Sequence, residues 1–292
     1  MTIDICMPFW GAPDDLRAAV SSVLAQDDPD WRLVVIDDCY PDDSIPAYFA
    51  ALGDSRVFYV RNERNVGITE NFRRAAAAAR GDHVVILGSD DLLHPTYVSR
   101  MRAVADAHRD VDVIQLGVEV IDGEGVPRRS LADQVKLRLL TPRRAKTFRA
   151  EDMARSLLVG NWLYWPSLLF RTERLREIDF RDDLPIILDL ALLIDIALAG
   201  GALRYEPGIA FAYRRHDESL SQKTILDGTR FDDERAYYRA TAAEAKARGW
   251  RRARRAARWR IMSRLHGLAV LPTVLRRGTS SARRAAFALA FR

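Results

Sequence analysis

The sequence has little cysteine, no long apolar run and, beyond Glu244, no acidic residue. The two cysteines, Cys6 and Cys39, are too few for a disulfide framework and lack the paired spacing of a zinc site, so a reducing compartment is expected. No apolar stretch reaches the roughly 18–20 residues needed to cross a bilayer. The N-terminus shows no basic stretch leading into an apolar one, which argues against a signal peptide. A cytoplasmic location is expected, extended by the basic tail described below to the inner face of the cell membrane. The rest is ordinary for a globular chain: 292 residues, 48% hydrophobic and 29% charged, enough for one large α/β domain plus an appendage.

The net charge of +5 conceals an asymmetry. Fourteen of the 45 basic residues follow Glu244, leaving 31 basic against 40 acidic groups before it, a net charge of −9. A basic tail on an acidic body suits an anionic partner, either a membrane surface or nucleic acid. A solvated helical face is the plainer alternative.

The first half alternates short apolar runs with helical patterns. Residues 3–7, 32–36, 57–60 and 84–87 read as strands, nearly continuous in apolar residues as when a sheet is covered on both faces. Helical spacing occupies 13–26, where Leu16, Ala19, Val20, Val23 and Leu24 recur, then a stretch after Asp43, then 69–80 with Gly81 as its expected C-terminal cap. A fourth helix is expected from Pro95 to about His108. Such alternation implies a parallel sheet with right-handed crossovers. Residues 111–121 read as a long strand ended by the turn Asp122-Gly123-Glu124-Gly125, and 126–150 as a basic, irregular connection. Further helices are expected at 151–159 and 188–199, and strands at 167–171, 203–205 and 209–213. From Phe231 the pattern is helical and Arg-rich, so the body is assigned to 1–225 and a basic helical extension to 226–292.

Two acidic pairs end strands: Asp37-Asp38 follows Leu33-Val34-Val35-Ile36, and Asp90-Asp91 follows Val84-Val85-Ile86-Leu87-Gly88-Ser89. Ligands of open parallel sheets bind outside such strand ends. Adjacent carboxylates repel unless a cation or donor compensates, and hard oxygen ligands suit Mn²⁺ or Mg²⁺ holding a diphosphate. The plainer reading is that each pair caps the following turn. Two pairs in one sheet favour a site.

These pieces have company in a fixed order. Ile5-Cys6-Met7-Pro8 is followed by Ser21-Ser22-Val23-Leu24-Ala25-Gln26, Leu33 to Asp38, Asn65-Val66-Gly67 with Asn71, Ala79-Arg80-Gly81-Asp82 and Gly88-Ser89-Asp90-Asp91. In that order and spacing the chain resembles family 2 glycosyltransferases with the GT-A fold over roughly residues 2–220. The resemblance implies a GT-A-like, Rossmann-like α/β sheet that binds a nucleoside-diphosphate sugar. Pro8 and Trp10 would meet the nucleotide, the Trp10 ring stacking on the base. Asp38 would accept a hydrogen bond from base or ribose, with Asp37 beside it. Asn65 and Gly67 would border the pocket, Asn71 would open the helix behind it, and Ser89 would join the donor residues. Asp90 and Asp91 match the metal-binding motif for Mn²⁺ or Mg²⁺. Gly88 stands where the motif usually has its first carboxylate. Pro8-Phe9-Trp10-Gly11 also departs from the usual first-strand sequence, so base preference does not carry over.

Inverting transfer requires a carboxylate to deprotonate the acceptor hydroxyl and a cation to stabilise the departing diphosphate. The family's base opens a helix of the pattern met at Asp189-Leu190-Ala191-Leu192, which assigns the role to Asp189. Leu188 replaces the usual Glu before it, and the added desolvation would raise the carboxyl's pKa. Asp195 reads as structural, and Asp182 and Asp183 are the alternatives upstream. Tyr213-Arg214-Arg215-His216 resembles the segment after the family's last strand. There His216 would lie near metal and diphosphate, and Arg214 or Arg215 would clamp phosphate, alternation letting one of them face the site. A lone His in a polar loop is otherwise merely solvated. Trp162, Tyr164 and Trp165 fall where the family builds its acceptor wall, where aromatic faces stack on sugars. Core packing is the alternative for all three.

Residues 246–264 are densely basic and interleaved with Trp250, Trp259, Ile261 and Met262, and Leu265, Leu268, Val270 and Leu271 continue the apolar material until Pro272. This reads as an interfacial amphipathic helix that would bring 246–292 to an anionic membrane surface. Packing against the body is the competing reading. Nucleic acid is not expected, because no recognition module occurs and the body is acidic.

Together these readings describe an inverting glycosyltransferase acting on a glycan or lipid-linked hydroxyl in cell-surface polysaccharide or glycolipid synthesis. A nucleotidyltransferase would also use paired Asp, but lacks here a Gly-rich basic loop after the first strand. A degenerate sugar-nucleotide binding protein is the non-enzyme alternative, motivated by Gly88 and Leu188.

Overall fold

The computed structural model describes residues 2–128, 130–182, 184, 187–215 and 229–291. Its strands are β1 Ile3–Phe9, β2 Trp31–Asp37, β3 Val57–Arg61, β4 His83–Ile86, β5 Leu92–Leu93, β6 Val113–Ile121, β7 Lys146–Arg149, β8 Leu168–Arg171 and β9 Ala202–Arg214. They form one sheet in the order β3-β2-β1-β4-β8-β6-β9-β5, with β7 paired to β9. The helices of the body are α1 Pro13–Leu24, α2 Ser44–Leu52, α3 Ile68–Ala78, α4 Tyr97–Ala107, α5 Leu131–Val135, α6 Ala150–Val159, α7 Thr172–Glu177 and α8 Leu188–Leu198. The C-terminal helices are α9 Thr229–Ala247, α10 Arg251–Trp259, α11 Ile261–Arg277 and α12 Ser280–Phe291.

β1 pairs in parallel with both β2 and β4, Ile5 lying opposite Leu33 and Val85. The chain runs outward from β1 to β2 and β3, then crosses back to β4. Strand order therefore reverses between β1 and β4, and such a reversal leaves a crevice at the carboxyl ends. β8 enters antiparallel to β4 and β6, so the sheet is mixed rather than purely parallel.

Both faces of β1 are covered because successive side chains alternate. Ile5, Met7 and Phe9 share a core with Leu16, Val20 and Val23 of α1, whereas Cys6 packs on the other face with Ala75 of α3. Burial pushes the Cys6 thiol up to about 12, which leaves it inert. Asp4, fully buried in the same strand, is balanced by Arg32, which donates to both carboxylate oxygens at 3.0 and 2.7 Å, and by the Gly81 amide at 2.8 Å. α8 is apolar around most of its circumference and buried, with Asp189 and Asp195 among its few partly exposed positions.

The structure corrects four expectations. Residues 126–150 are not irregular throughout: α5, a π-helical turn at Lys136–Leu140, and β7 lie within them. Gly81 does not cap α3, whose C-cap is Ala79 in extended conformation. Instead a Cβ at Gly81 would meet the Thr2 carbonyl oxygen at 2.5 Å, so glycine permits a close backbone approach. The two late strands are one strand, β9, whose register against β6 shifts around Gly117. A Cβ on Gly117 would come within 2.7 Å of the Gly208 backbone. Lastly, the tail is not one helix. It breaks at Arg260, and α11 runs through Pro272 rather than stopping there. Tyr237 and Tyr238 of α9 and Ala253 and Ala257 of α10 belong to the same hydrophobic core as α6 and α8. Phe231, Val274, Ala286 and Leu289 form a smaller cluster joining α9, α11 and α12. No described helix is long and apolar enough to cross a membrane.

Candidate active site

A cavity of about 880 Å³ opens at the carboxyl ends of β1, β2 and β4 and the end of β9. Pro8, Trp10, Asp38, Asn65, Gly67, Asn71, Ser89, Asp90 and Arg215 all line it, as does Phe72. Asp37 does not. It points to the opposite face from Asp38, as neighbours on a strand must. There it is fully buried, accepting from the Tyr40 amide at 2.8 Å and from the Tyr59 hydroxyl, with Arg61 at 3.6 Å.

Asp38 organises the rim. Its Oδ1 accepts from Asn62 Nδ2 at 2.9 Å and the Val66 amide at 2.8 Å, and its Oδ2 accepts from the Gly67 amide at 3.0 Å. Gly67 has φ 83°, a conformation that favours glycine. Cys39, next to Asp38, is held at φ 62° without that excuse, a local strain often found beside functional groups. Asn71 is buried and bonds β2 through the Ile36 carbonyl at 3.1 Å, while its Oδ1 accepts from Asn62 at 3.1 Å. Asn62 was not singled out in the sequence, yet it joins Asp38 to Asn71. Trp10 is 52% exposed at the mouth, edge-on to Tyr40 at 5.4 Å, with much of its ring available.

Of the acidic pair, Asp90 lines the cavity and Asp91 is buried behind it. Asp91 is 1% exposed; its Oδ1 accepts from the Arg214 amide at 2.8 Å, and its Oδ2 has no hydrogen-bond partner among the described residues. Burial first, then the Asp90 charge, raises the Asp91 carboxyl well above the usual carboxylate range, opposed by Arg214. A Cβ built on Gly88 would stand 2.5 Å from Asp91 Oδ2 and 2.9 Å from Asp90 Oδ1. Both oxygens thus converge on the space that a side chain at 88 would fill. A buried orphan acceptor beside a second carboxylate fits a divalent cation, since Mg²⁺ is commonly held by one or two carboxylates plus substrate phosphates. Among the described residues no cluster of three or more His, Cys, Asp or Glu is gathered. His216, the expected third ligand, lies outside the described residues.

The two arginines divide their work. Arg214 is nearly buried, donating its guanidinium to the backbone carbonyls of Asp90 at 2.8 Å, Gly123 at 2.5 Å and Asp122 at 3.3 Å, with the Asp15 carboxylate at 3.5 Å. Both arginines line the cavity, against the expectation that alternation turns one of them away, and Arg215 donates to Asp133 Oδ1 at 2.5 Å.

Asp189 sits in the first turn of α8, where Asn161 Nδ2 donates to its Oδ2 at 2.9 Å. It does not line the donor cavity but is linked to it through a polar cluster. Asn161 Oδ1 accepts from the Leu163 amide at 3.2 Å, and the Leu163 carbonyl accepts from Lys136 Nζ at 2.6 Å. Lys136 lies 3.7 Å from the centre of the Tyr164 ring, and Tyr164 donates to Asp133, the partner of Arg215. Burial draws the Lys136 ammonium down to about 8, with Asp189 the largest opposing influence. Asp133 and Lys136 escaped the sequence reading. The available signal was Ser130 three residues before Asp133, a capping pattern: Ser130 Oγ accepts from the Asp133 amide at 3.1 Å. Of the alternative bases, Asp182 is exposed and paired with Arg73 at 3.1 Å, and Asp183 lies outside the described residues. Asp195 lies on the same helix as Asp189, nearly two turns further on.

The three aromatics expected at an acceptor wall do not line the donor cavity. Trp162 is 1% exposed, its Nε1 donating to Ser156 at 3.1 Å and its ring edge-on to Tyr205. Trp165 packs between Phe72, Phe170 and Phe180. Tyr164 reaches the polar cluster beside Asp189.

Residues 4–165, more than half of the chain, match the model of the family described as Glycosyl transferase family 2. The chain belongs to that family. This family 2 member is 31% identical over 224 residues to the succinoglycan biosynthesis protein ExoO of Rhizobium meliloti (strain 1021), covering 75% of this chain and 62% of ExoO. It is 35% identical over 92 residues to the UDP-Glc:alpha-D-GlcNAc-diphosphoundecaprenol beta-1,3-glucosyltransferase WfgD of Escherichia coli, covering 31% of this chain and 35% of WfgD. The matches thus span less than two thirds of the length of these relatives. S. aureus TarS 1–349 in complex with UDP-GlcNAc superimposes with a TM-score of 0.63 at 18% identity, covering 84% of this chain and 66% of that one. That likeness concerns the fold, and the GT-A-like architecture expected from the sequence is the one observed.

Proposed function

We propose that this family 2 member is an inverting glycosyltransferase that binds a nucleoside-diphosphate sugar in the cavity at the β1–β4 reversal, with Mn²⁺ or Mg²⁺ at Asp90 and Asp91. The observation that carries the reading is the unpartnered, buried Asp91 Oδ2 converging with Asp90 above Gly88. When bound, the cation neutralises the pair and stabilises charge on the departing diphosphate. Trp10 offers its face to the base, and Pro8, Asn65, Gly67 and Ser89 border the nucleotide. Asp38 sets the rim by gripping the Val66 and Gly67 amides, and Asp37 stiffens β2 behind it. Arg215, oriented by Asp133, meets phosphate oxygens. Asp189, held by Asn161, takes the proton of the acceptor hydroxyl as that oxygen attacks the anomeric carbon, and the nucleoside diphosphate leaves from the opposite face. Tyr164 is assigned to the acceptor side on its contact with the cluster beside Asp189. The name of WfgD, a UDP-Glc:alpha-D-GlcNAc-diphosphoundecaprenol beta-1,3-glucosyltransferase, supports a nucleotide-sugar donor and a glycan or lipid-linked acceptor. ExoO supports a place in polysaccharide synthesis. A thermal-shift screen of UDP-, GDP- and dTDP-sugars with and without Mn²⁺ tests this. Metal-dependent stabilisation by one donor class is expected; no response to any donor would overturn it.

We also propose that 226–292 form a functional extension which meets an anionic bilayer, on the cytoplasmic side of the cell membrane. Ile261, Leu265, Leu268 and Leu275 recur along α11 and are all exposed, with arginines beside them. Exposed apolar residues flanked by Arg complement anionic headgroups. Because α9 and α10 share the body's core, truncation would unfold more than it removes. Flotation with anionic liposomes should be lost in Leu265→Ser/Leu268→Ser; unchanged flotation would refute the assignment.

A further inference from the structure

A second cavity, of about 630 Å³, lies between α9, α10 and the start of α11 and shares no lining residue with the donor cavity. Its described lining includes six cationic side chains, Arg239, Lys246, Arg254, Arg258, Arg260 and Arg264, and no carboxylate. A basic helical face normally spreads its charges into water. That account fails at Arg260. This residue is 5% exposed and joins α10 to α11 in the left-handed conformation, φ 45° and ψ 46°. Among the described residues its Nη1 is buried with no hydrogen-bond partner, as are Arg264 Nε and Arg235 Nε.

Two acids close in sequence are already engaged, Asp232 with Arg235 at 3.6 Å and Glu244 with Arg248 at 3.1 Å. Burial, then repulsion from Arg264, Arg235 and Arg239, holds Arg260 below the ordinary arginine value, with Glu234 opposing. A corner that keeps guanidinium donors buried, unpaired and mutually repelling is short of an anion.

We propose that this cavity binds the phosphate group of an anionic ligand, with Arg260 and Arg264 as inner donors and Arg239, Lys246, Arg254 and Arg258 around them. Planar guanidinium forks match phosphate oxygens in pairs, and the N-terminus of the 17-residue helix α11 opens at the same place. Two sources carry this chemistry, a lipid headgroup and a soluble phosphate. Trp259 lines the cavity, and Ile261, Leu265 and Leu268 follow it, exposed, along α11, where the acyl chains of a lipid would find apolar surface and a soluble phosphate would have no use for it. The inference does not rest on the transfer reaction.

The test uses the full chain in metal-free buffer at constant ionic strength. Pyrophosphate and inorganic phosphate are titrated against chloride while Tm is read, and binding to phosphatidylglycerol and phosphatidylcholine vesicles is measured in parallel. Saturable stabilisation or phosphatidylglycerol-selective binding is expected in the wild type and in Arg215→Gln, whose change lies in the donor cavity. Arg260→Gln/Arg264→Gln should weaken it by about tenfold or more. Arg254→Gln/Arg258→Gln, on the outer part of the cavity, gives the same reading with less risk to folding. Phosphate binding lost in the arginine variants but kept in Leu265→Ser/Leu268→Ser assigns a soluble source; vesicle binding lost in both assigns a lipid. No saturable effect of any probe, or an effect equal in the arginine variants, would overturn the proposal.

Discussion

Arg214 grips the acidic turn with two different groups. Its backbone amide donates to Asp91 Oδ1 and its guanidinium Nε donates to the carbonyl of Asp90, each at 2.8 Å. The end of β9 thereby fixes one oxygen of Asp91 and leaves the other bare beside Asp90. Held in this way, Asp91 keeps an unpartnered oxygen turned toward Asp90, and a cation is the natural complement.

Gly88 is what lets the two carboxylates meet. In Gly88→Ala the new Cβ would fall 2.5 Å from Asp91 Oδ2, too close to be accommodated without moving that side chain. The expected outcome is a stability loss of about 1–3 kcal/mol in urea unfolding, together with loss of metal-dependent donor hydrolysis. A variant with wild-type stability and wild-type hydrolysis would show that the close approach is unimportant.

Asp189→Asn keeps the shape of the side chain but removes the acceptor of the hydroxyl proton. Turnover should drop by about 10²–10⁴ while donor affinity stays within about twofold. Asp182→Asn, which alters only an exposed pair with Arg73, should leave turnover near normal. Near-normal turnover in Asp189→Asn would remove it from the role of base.

Lys136 gives a pH signature independent of activity. Burial lowers its value to about 8 in the folded chain, whereas the ordinary value is 10.5. Between those limits the unfolded chain binds the proton that the folded chain has released, so the folded state gains stability as pH rises through this window. Lys136→Met should flatten that rise, read as the difference between urea midpoints near pH 8 and near pH 10. An identical slope in variant and wild type would mean that Lys136 titrates normally.

The strand-end carboxylates were legible in the sequence because each follows a short apolar run, and the apolar run fixes both the strand and its end. Asp189 was picked out differently, by the resemblance of its helix to the family's pattern. Lys136 and Asp133 were not. They stand on a turn that changes from α to π geometry, so no single period runs through it. Their meaning also comes from partners far along the chain, Arg215 being 82 residues from Asp133. The roles of Arg214 and Arg215 were equally hidden: alternation predicts that one of them faces the site, yet both line the cavity and it is their partners that differ. Trp162 falls where the resemblance puts an acceptor wall, yet its neighbours Phe148 and Tyr205 make it core.

Calorimetric titration of the nucleoside diphosphate that responds in the donor screen, with and without Mn²⁺, tests the assignment of Asp90 and Asp91 most directly. Wild-type protein should bind about tenfold or more tightly with the metal, and Asp91→Asn should bind the nucleotide with no metal dependence. Equal affinity in wild type with and without Mn²⁺, or an undiminished metal effect in Asp91→Asn, would contradict it.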